Sequence, residues 1–174
     1  MRIHEPYHIC YCNVVCKVKL ETVMNSYVFD KSVNAGNDLG IKKQCVEFAR
    51  RWLYENKGMI YQDVVIAADI WDKVNCYTRL LDARKIPVEN VINGAFQLPK
   101  PGDLIIYSEK YMNTGHVSVV VNVSELNGLI DLLEQNFDNH QQLPNQQRSI
   151  SFTFHKQRYW LLDSYLLGWK SIEE

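Results

Sequence analysis

The chain has 174 residues, of which 47% are apolar and 22% are charged, and it carries a net charge of −1 with a pI near 6.5. This length suits one domain with a hydrophobic core, and the composition excludes a disordered or fibrous protein. The near-neutral charge argues against a nucleic-acid-binding protein and against a strongly basic protein that binds cell walls.

Three features predict a cytoplasmic protein with no membrane partner. No stretch approaches the ~18 consecutive apolar residues of a membrane-spanning helix. Residues 1–8 lack the charged-then-apolar pattern of a signal peptide. The five cysteines are an odd number in no regular framework, which suits a reducing compartment.

The N-terminal segment contains side chains that could bind a metal: His4, His8, Cys10, Cys12 and Cys16. Their C-x-C-x3-C spacing is not a standard zinc spacing, and no second cysteine pair follows it. Apolar residues alternate around these cysteines, so we predict a β segment in which the cysteines serve only as packing side chains. We predict no metal site there. Residues 25–43 are polar and contain glycine and asparagine, and they predict a loop.

Residues 44–55 predict an amphipathic helix with a cysteine at its start. Apolar side chains recur with the helical period at Val46, Phe48, Ala49, Trp52 and Leu53. Cys45 lies in or just before the first turn, where unpaired N–H groups and the positive end of the helix dipole favour a thiolate. A free thiol titrates near ~8.5, and this position beside an imidazolium lowers that value by several units. The position indicates a nucleophile, although most isolated intracellular cysteines are small buried side chains.

The next part of the chain carries two predictions of secondary structure. Residues 63–81 predict a second helix, with apolar side chains at Ala67, Ala68, Ile70, Trp71 and Val74. Residues 86–100 contain two prolines and an Asn-Gly pair, and they predict a connection with turns.

A histidine stands at the start of a predicted strand. Residues 101–107 predict a turn and a short apolar strand, and the β-branched run 114–121 predicts the next strand. His116 shares one face with Ser118 and Val120, while the valines between them form the expected core face. A histidine at a strand end is usually structural or solvated. One that follows a glycine and faces a helix-capping cysteine fits a general base better.

An acidic residue lies near the end of the following strand, residues 129–136. A loop containing Asn127-Gly128, a hairpin signal, joins this strand to the histidine strand. A longer loop would bring Glu134 close to His116, whereas a two-residue turn at Asn127-Gly128 would pair Glu134 with Val121. The sequence leaves both registers open.

A carboxylate or amide beside an imidazole fixes the tautomer of the ring and stabilises the imidazolium. Glu134 is the first candidate for this role, with Asn136 as an alternative or a supplement.

The remainder of the chain is consistent with one α+β domain, in which helices pack on a mostly antiparallel β-sheet. Residues 139–147 are rich in glutamine and predict a polar loop at the rim of the site. Residues 151–155 and 159–162 predict strands that close the sheet. No repeat or linker divides the chain, so residues 1–174 predict a single domain.

Four short motifs carry a resemblance to a known family. In chain order they are Gln-Cys-Val-Glu-Phe-Ala-Arg-Arg from Gln44, Pro-Gly-Asp-Leu from Pro101, Thr-Gly-His-Val from Thr114 and Glu-Gln-Asn from Glu134. Together they resemble the CHAP family of cysteine amidases and peptidases, and within it the amidase domains of glutathionylspermidine synthetase/amidase enzymes. Further likeness is found in Tyr61-Gln62-Asp63-Val64, Asn93-Gly94 and Leu167-Gly168-Trp169. The resemblance covers residues 34–170 and leaves residues 1–33 without an assigned role.

The resemblance implies a papain-like (CHAP) fold in which Cys45 is the nucleophile, His116 the base and Glu134 the residue that orients the histidine. By analogy with papain-like sites, the Cys45 N–H and the Gln44 side chain hold the oxyanion, with Asn136 in support. No metal or cofactor is implied. The bifunctional family members carry a much larger ATP-dependent ligase domain, for which this chain has no room, so we expect hydrolysis only.

The substrate that the resemblance implies is a small peptide–polyamine conjugate, glutathionylspermidine, cleaved through a thioester to glutathione and spermidine. Carboxylates should then line the amine side, and an arginine should meet the carboxylates of glutathione. Asp63 and Arg50 are the candidates because they lie in the matching motifs. The competing interpretation is that Arg50 pairs with Glu47 or Glu55 on its own helix and that Asp63 caps the next helix.

Two other functions compete with this one. The same catalytic residues would serve a peptidoglycan-cleaving CHAP amidase or endopeptidase, such as a lysin or an antibacterial effector. A catalytically silent binding module would keep the fold alone. The sequence carries no signal for an oligomeric state.

Overall fold

The computed structural model describes residues 31–34, 37–41, 44–139 and 146–172. The predictions for the N-terminal cysteines Cys10, Cys12 and Cys16 lie outside the described residues, as does most of the predicted polar loop.

The described elements follow each other in chain order as two helices, eleven strands and one short turn. The first seven are β1 (Lys31–Asn34), β2 (Asn37–Ile41), α1 (Cys45–Lys57), β3 (Met59–Ile60), α2 (Asp69–Lys73), β4 (Cys76–Arg79) and β5 (Lys85–Ile92). The others are β6 (Leu104–Tyr107), β7 (His116–Ser124), β8 (Leu129–Glu134), a 3-10 turn (Phe137–Asn139), β9 (Gln146–His155), β10 (Arg158–Leu162) and β11 (Leu166–Ile172).

Nine strands form one antiparallel sheet in the order β10-β9-β8-β7-β6-β11-β5-β4-β3, and β1 pairs with β2 in a separate hairpin. The predicted helix at the cysteine is confirmed as α1, which packs on β7. The predicted α+β class with a mostly antiparallel sheet is confirmed, and the described part of the chain has two helices. Within the described part of the chain, neither helix is long and apolar enough to cross a membrane.

The sheet curls until a segment that follows β5 meets the edge strand β10. Ala95 and Tyr159 form an antiparallel bridge there, with Tyr159 N donating to Ala95 O at 2.8 Å. The side-chain amide of Asn93 imitates a strand residue beside them. It donates to Leu161 O at 3.0 Å and accepts from Leu161 N at 2.8 Å. The strands from β5 to β10 thereby enclose an interior.

Two hydrophobic cores lie on opposite faces of this curled sheet. Between α1 and the sheet, Phe48, Ala49 and Leu53 of the helix meet Val117 and Val119 of β7. The second core fills the interior of the curl with Tyr107, Val120, Ile130, Leu132, Ile150 and Trp169. Both faces of β7 are therefore covered, whereas the sequence indicated only its valine face as core.

The predicted helix over residues 63–81 is wrong, because only Asp69–Lys73 is helical. The apolar side chains of Ala67, Ile70 and Val74 are buried as the periodicity requires, but they reach the core through turns and a short helix. From Cys76 onward the chain forms a strand, β4, because its aromatic and β-branched side chains pair with β5. Pairing between distant segments has overridden the local period.

Two loop predictions are also corrected. Residues within 25–43 form the β1–β2 hairpin rather than a loop. Residues 86–100 were predicted as a connection with turns, but residues 86–92 belong to the strand β5. Pro87 fits in this strand because it pairs only with β4, while the β11 ladder begins one residue later, at Val88.

Candidate active site

The helix α1 begins at a cysteine. Gln44 precedes it with extended backbone, and the Gln44 carbonyl accepts the first helical hydrogen bond from Phe48 N at 3.0 Å. Cys45 is therefore the first helical residue, where N–H groups lack helical acceptors and the helix dipole favours an anion. The Cys45 side chain is half-buried and carries a free thiol, whereas Cys76 is disulfide-bonded.

A glycine with left-handed backbone delivers the histidine to this cysteine. Gly115 has a φ of +69°, and a Cβ at this position would lie 2.6 Å from Tyr107 O and 2.9 Å from the Ala68 Cβ. Only glycine fits such a position without strain. His116 follows directly as the first residue of β7, opposite Tyr107, with its ring buried. Steric contacts and backbone conformation thus require glycine in the middle of the Thr-Gly-His motif.

The hairpin between β7 and β8 has the longer of the two loops considered from the sequence. Residues 125–128 form the loop, and a bulge at Val121 shifts the ladder by one residue. The ladder beyond the bulge places Glu134 opposite Ser118 and diagonally across from His116. Diagonal neighbours on one sheet face lie within reach of long side chains.

The imidazole of His116 joins the thiol to the carboxylate. Its Nε2 lies 3.0 Å from Glu134 Oε2, and its other side hydrogen-bonds to the Cys45 sulfur. Because Nε2 faces the carboxylate, Nδ1 is the nitrogen left for the sulfur. Ser118 Oγ also donates to Glu134 Oε2. The structure therefore brings the three predicted catalytic residues together in one hydrogen-bonded chain.

The local electrostatics favour charged forms of all three groups. Burial raises the pKa of Cys45, but hydrogen bonding to His116 and the charge of that ring outweigh it and lower the pKa. Burial lowers the pKa of His116, but the hydrogen bonds and charges of Cys45 and Glu134 raise it to about 9. Burial raises the pKa of Glu134, but hydrogen bonds from His116 and Arg148 lower it to about 2. The contact between the two side chains thus favours the thiolate of Cys45 together with the imidazolium of His116.

An amide pair stands beside the thiol. Asn136 Nδ2 donates to Gln44 Oε1 at 2.9 Å, across 92 positions of the sequence. Because the oxygen of the Gln44 amide is engaged in this way, its Nε2 group is the end that can donate to a ligand. Asn136 has a left-handed backbone, with φ +58°, two residues after the end of β8. Both predicted support residues therefore meet next to Cys45.

Sequence reasoning missed an arginine behind the carboxylate. Arg148 Nε donates to Glu134 Oε1 at 2.6 Å, and its two terminal nitrogens reach Asp163 Oδ2 at 2.6 Å and Tyr107 OH at 2.7 Å. Tyr107 OH donates to the same Asp163 oxygen at 2.8 Å. Arg148 lies on the inner face of β9, two residues before the buried Ile150. Arg148 stands in step with Ile150, Phe152 and Phe154 in an alternating strand, and this periodicity was the available signal.

A group of aromatic side chains packs against the buried ring of His116. The rings of Tyr111 and Phe137 have centroids 5.8 and 5.3 Å from the His116 ring, and they stack on each other at 5.6 Å. Tyr165 packs against Tyr111 at 6.2 Å and is 53% exposed. Tyr111 OH also donates to Asp138 Oδ1 at 2.6 Å, and this carboxylate is exposed. The surface beside His116 is therefore aromatic and acidic.

The pair predicted to bind substrate is a buried arginine and an exposed carboxylate. Arg50 Nε donates to Tyr61 O at 3.2 Å, and its NH1 lies 3.2 Å from Asp63 Oδ1. The arginine side chain is 6% exposed and that of Asp63 is 66% exposed. Glu47 pairs with Arg51 instead, so the interpretation of Arg50 as paired with its own helix is wrong. Asp63 likewise caps no helix, because α2 begins at Asp69.

Metal binding finds no support in the described residues, where no cluster of three or more His, Cys, Asp or Glu side chains has a suitable arrangement.

Known proteins resemble this chain over much of its length. The family model of the CHAP domain matches residues 34–136. Trypanothione synthetase of Crithidia fasciculata is 38% identical over 112 residues, which cover 64% of this chain and 17% of that protein. Bifunctional glutathionylspermidine synthetase/amidase of Escherichia coli (strain K12) is 30% identical over 159 residues, which cover 86% of this chain and 24% of that protein. The crystal structure of Ly7917 aligns with a TM-score of 0.44 and 15% identity over 75% of this chain and 54% of that one.

The chain therefore spans about a quarter or less of the length of these two relatives. The resemblance predicted from the four motifs is confirmed.

Proposed function

The chain belongs to the CHAP domain family, and from this premise we propose that it is a cysteine amidase that hydrolyses amide bonds through a thioester. The observation that carries the proposal is the hydrogen-bonded chain from Cys45 through His116 to Glu134, with the thiol at a helix N-terminus. We also propose that the arrangement is papain-like, with a nucleophile helix packed on an antiparallel sheet.

The first half of the reaction forms the thioester. The Cys45 thiolate attacks the scissile carbonyl carbon, and the carbonyl electrons move to oxygen. The Cys45 N–H and Gln44 Nε2 stabilise this oxyanion, with Asn136 holding the Gln44 amide in place. The His116 imidazolium then gives its Nδ1 proton to the nitrogen as the C–N bond breaks. Gln44→Ala should lower kcat by about 10²–10³-fold, the loss expected for one oxyanion donor.

The second half of the reaction restores the enzyme. Neutral His116 takes a proton from water as the water oxygen attacks the thioester carbon. The C–S bond breaks, the thiolate leaves, and the imidazolium is again paired with it. Glu134 remains ionised and keeps the ring orientation throughout. The net reaction converts an amide and water into a carboxylate and an ammonium group.

For the substrate, we propose a glutathionylspermidine-like amide. The printed names of the similar proteins support this substrate, because one of them is a glutathionylspermidine synthetase/amidase. The leaving amine of such a substrate is polycationic. His116 protonates this amine, so the amine must lie beside His116, where the exposed surface consists of Tyr111, Phe137 and Asp138. Aromatic faces and a carboxylate attract ammonium groups.

Arg50 and Asp63 remain the proposed contacts for the rest of the substrate. The Asp63 carboxylate is exposed and available to an ammonium group, while Arg50 is held by Tyr61 O and by Asp63 itself. We therefore propose that Arg50 reaches a substrate carboxylate only with the N–H groups not used in these contacts.

We propose the cytoplasm as the compartment, because the Cys45 thiol must stay reduced in order to attack. The disulfide at Cys76 argues against this assignment. Blocking free thiols at cell lysis and counting the blocked cysteines would separate the two: a Cys76 disulfide already present in the cell would overturn the cytoplasmic assignment.

The direct test is release of spermidine from glutathionylspermidine by the purified protein under reducing conditions. Cys45→Ala and Cys45→Ser serve as variants without the nucleophile, and both should be inactive. Purified peptidoglycan, assayed with the same samples, represents the competing function. Spermidine release by wild type alone supports both the chemistry and the substrate.

Cleavage of peptidoglycan without spermidine release would keep the chemistry and replace the substrate. Substrate binding by Cys45→Ala with no turnover by wild type would support the silent binding module instead.

A further inference from the structure

A second layer of charged groups lies behind the proposed catalytic residues. The strands β7 to β10 follow one another in the chain and in the sheet. His116 lies at the start of β7, Glu134 at the end of β8, Arg148 near the start of β9 and Asp163 just after β10. These four residues therefore form a row across one end of the four strands. The family model ends at Asn136, so Arg148 and Asp163 lie beyond the matched region.

We propose that Arg148 is a positioning residue, which holds the Glu134 carboxylate ionised and directed at His116 while Asp163 and Tyr107 fix the guanidinium. This inference rests on the proposed function. It adds to that function the residue on which the orienting carboxylate depends.

The geometry divides the two oxygens of Glu134 between two tasks. Oε2 receives His116 and Ser118, with a longer contact from Arg148 Nη2 at 3.4 Å, and Oε1 receives Arg148 Nε at 2.6 Å. Glu134 is fully buried, so without Arg148 its Oε1 would be left as an unpaired charged oxygen. A buried carboxylate in that condition takes up a proton or turns toward another donor. Either change would remove the acceptor that stabilises the imidazolium.

The guanidinium is itself held in one orientation. Asp163 Oδ2 and Tyr107 OH accept from its two terminal nitrogens at 2.6 and 2.7 Å. Its carbon atom lies 4.0 Å from the centroid of the Phe137 ring, whose edge packs against His116. A planar fork bound at three polar sites and one aromatic face leaves few alternative orientations. Lysine at this position would keep the charge but not the fork.

Charge alternates from one end of this network to the other. The titratable and charged groups that face it from every neighbouring element are Cys45, Tyr107, Tyr111, His116, Glu134, Asp138, Arg148 and Asp163. Arg148 alone would disfavour the imidazolium, and Asp163 offsets part of its charge. The net effect of Arg148 on His116 is therefore exerted through Glu134.

The test measures the pH dependence of Cys45 alkylation by iodoacetamide, and of kcat/KM, in Arg148→Gln and Arg148→Lys. In Arg148→Gln, Glu134 becomes protonated within the working range, so the acidic limb of both profiles should move up by about one pH unit or more. At neutral pH kcat/KM should fall by about 10-fold or more, as for lost supporting partners in other sites. Arg148→Lys should lie between Arg148→Gln and wild type.

Two further variants make the test specific. Arg158→Gln is the matched control. Arg158 lies on β10, the strand next to that of Arg148, but it donates to Gly94 O and stacks on Phe96. Its acidic limb should coincide with that of wild type. In a Glu134→Gln background, Arg148→Gln should produce a smaller shift than in wild type, since no carboxylate is left to be protonated. If Arg148→Gln does not fold, Arg148→Lys alone decides the outcome.

An acidic limb that stays in place in folded Arg148→Gln or Arg148→Lys, even with lower activity or stability, would overturn the inference. An equal shift in both backgrounds would also overturn it. Alkylation needs no substrate, so a shifted limb in a protein that hydrolyses no amide would overturn the proposed function and leave the role of Arg148 standing.

Discussion

The reactivity of Cys45 depends on a proton that has moved from sulfur to a ring nitrogen. The pKa of Cys45 is lowered and that of His116 is raised to about 9, each by contact with the other. The lowered pKa extends the thiolate form of Cys45 below the usual pH range of a thiol, and above about pH 9 the imidazolium of His116 loses its proton. The sulfur is thus reactive at pH values where a free thiol, with a pKa near ~8.5, is mostly protonated.

We expect the rate of Cys45 alkylation to fall less steeply than that of a free thiol as the pH drops below 8, because contact with His116 lowers the pKa of Cys45. The alkylation rate of a free thiol such as glutathione should fall about tenfold for each unit by which the pH drops below the thiol pKa. Mass spectrometry of the labelled peptide measures the site and the rate. His116→Ala should show the reference behaviour, and a wild-type profile that parallels glutathione would contradict the ion pair.

A second residue-scale prediction concerns the acidic surface beside His116. Asp138→Asn removes a charge but keeps the shape, so KM for an amide with a polycationic leaving amine should rise by about 3–10-fold. For an amide of the same acyl group with a neutral leaving amine, KM should not change. Steady-state kinetics with the two substrates measures this difference, and equal effects on both would show that Asp138 does not select for charge.

At the scale of elements, local sequence signals predicted some of the helices and strands, and pairing between distant strands determined the others. The helix at Cys45 and the strand at His116 were predicted because a helical stripe and a β-branched run are local signals. The strand β5 was missed because Pro87 resembles a breaker until its neighbours β4 and β11 are known. Arg148 was missed for the same reason, since its partner Glu134 lies 14 positions away on another strand. The roles given to Cys45, His116 and Glu134 stay predictions until variants are tested.

The connection into β7 gives the element-scale prediction. Gly115→Ala should lower the free energy of unfolding by about 2 kcal/mol or more, because it adds both left-handed strain and a clash with Tyr107 O. Gly58→Ala is the matched control: its φ is +60° but nothing lies within 4 Å of the added carbon. It should lose only about 1 kcal/mol. Urea unfolding measures both, and equal losses would show that the steric contact is unimportant.

At the scale of the whole molecule, the curl of the sheet creates the interior in which Glu134 and Arg148 lie. Among the described residues, the closure involves the Ala95–Tyr159 bridge, the Asn93 amide and the hydrogen bond from Arg158 to Gly94 O. The second core, around Trp169, is enclosed only because these groups join. The stability of the closure therefore depends on contacts between residues that are far apart in the sequence.

Asn93→Ala removes two hydrogen bonds at this closure and leaves the Leu161 backbone groups unpaired. We expect a loss of about 2–3 kcal/mol, and a fall in Tm of about 2–4 °C for each of these kcal/mol. Asn90→Ala, three residues earlier in β5, removes one exposed hydrogen bond to Trp71 O and should cost less than about 1 kcal/mol. Calorimetry of both variants measures the difference, and similar Tm values would contradict a special role for Asn93.

The strands β7 to β10 have a second end, which bears none of the proposed catalytic residues. His116, Glu134, Arg148 and Asp163 all lie at one end of β7 to β10, while the β7–β8 loop lies at the other, with Leu126 97% exposed at its tip. Exposed loop tips of this kind tolerate insertions. A fluorophore or an affinity tag could therefore be attached at Leu126 without contacting the proposed catalytic residues. A solid support attached there would leave the end of the strands that carries His116 and Glu134 directed toward the solvent.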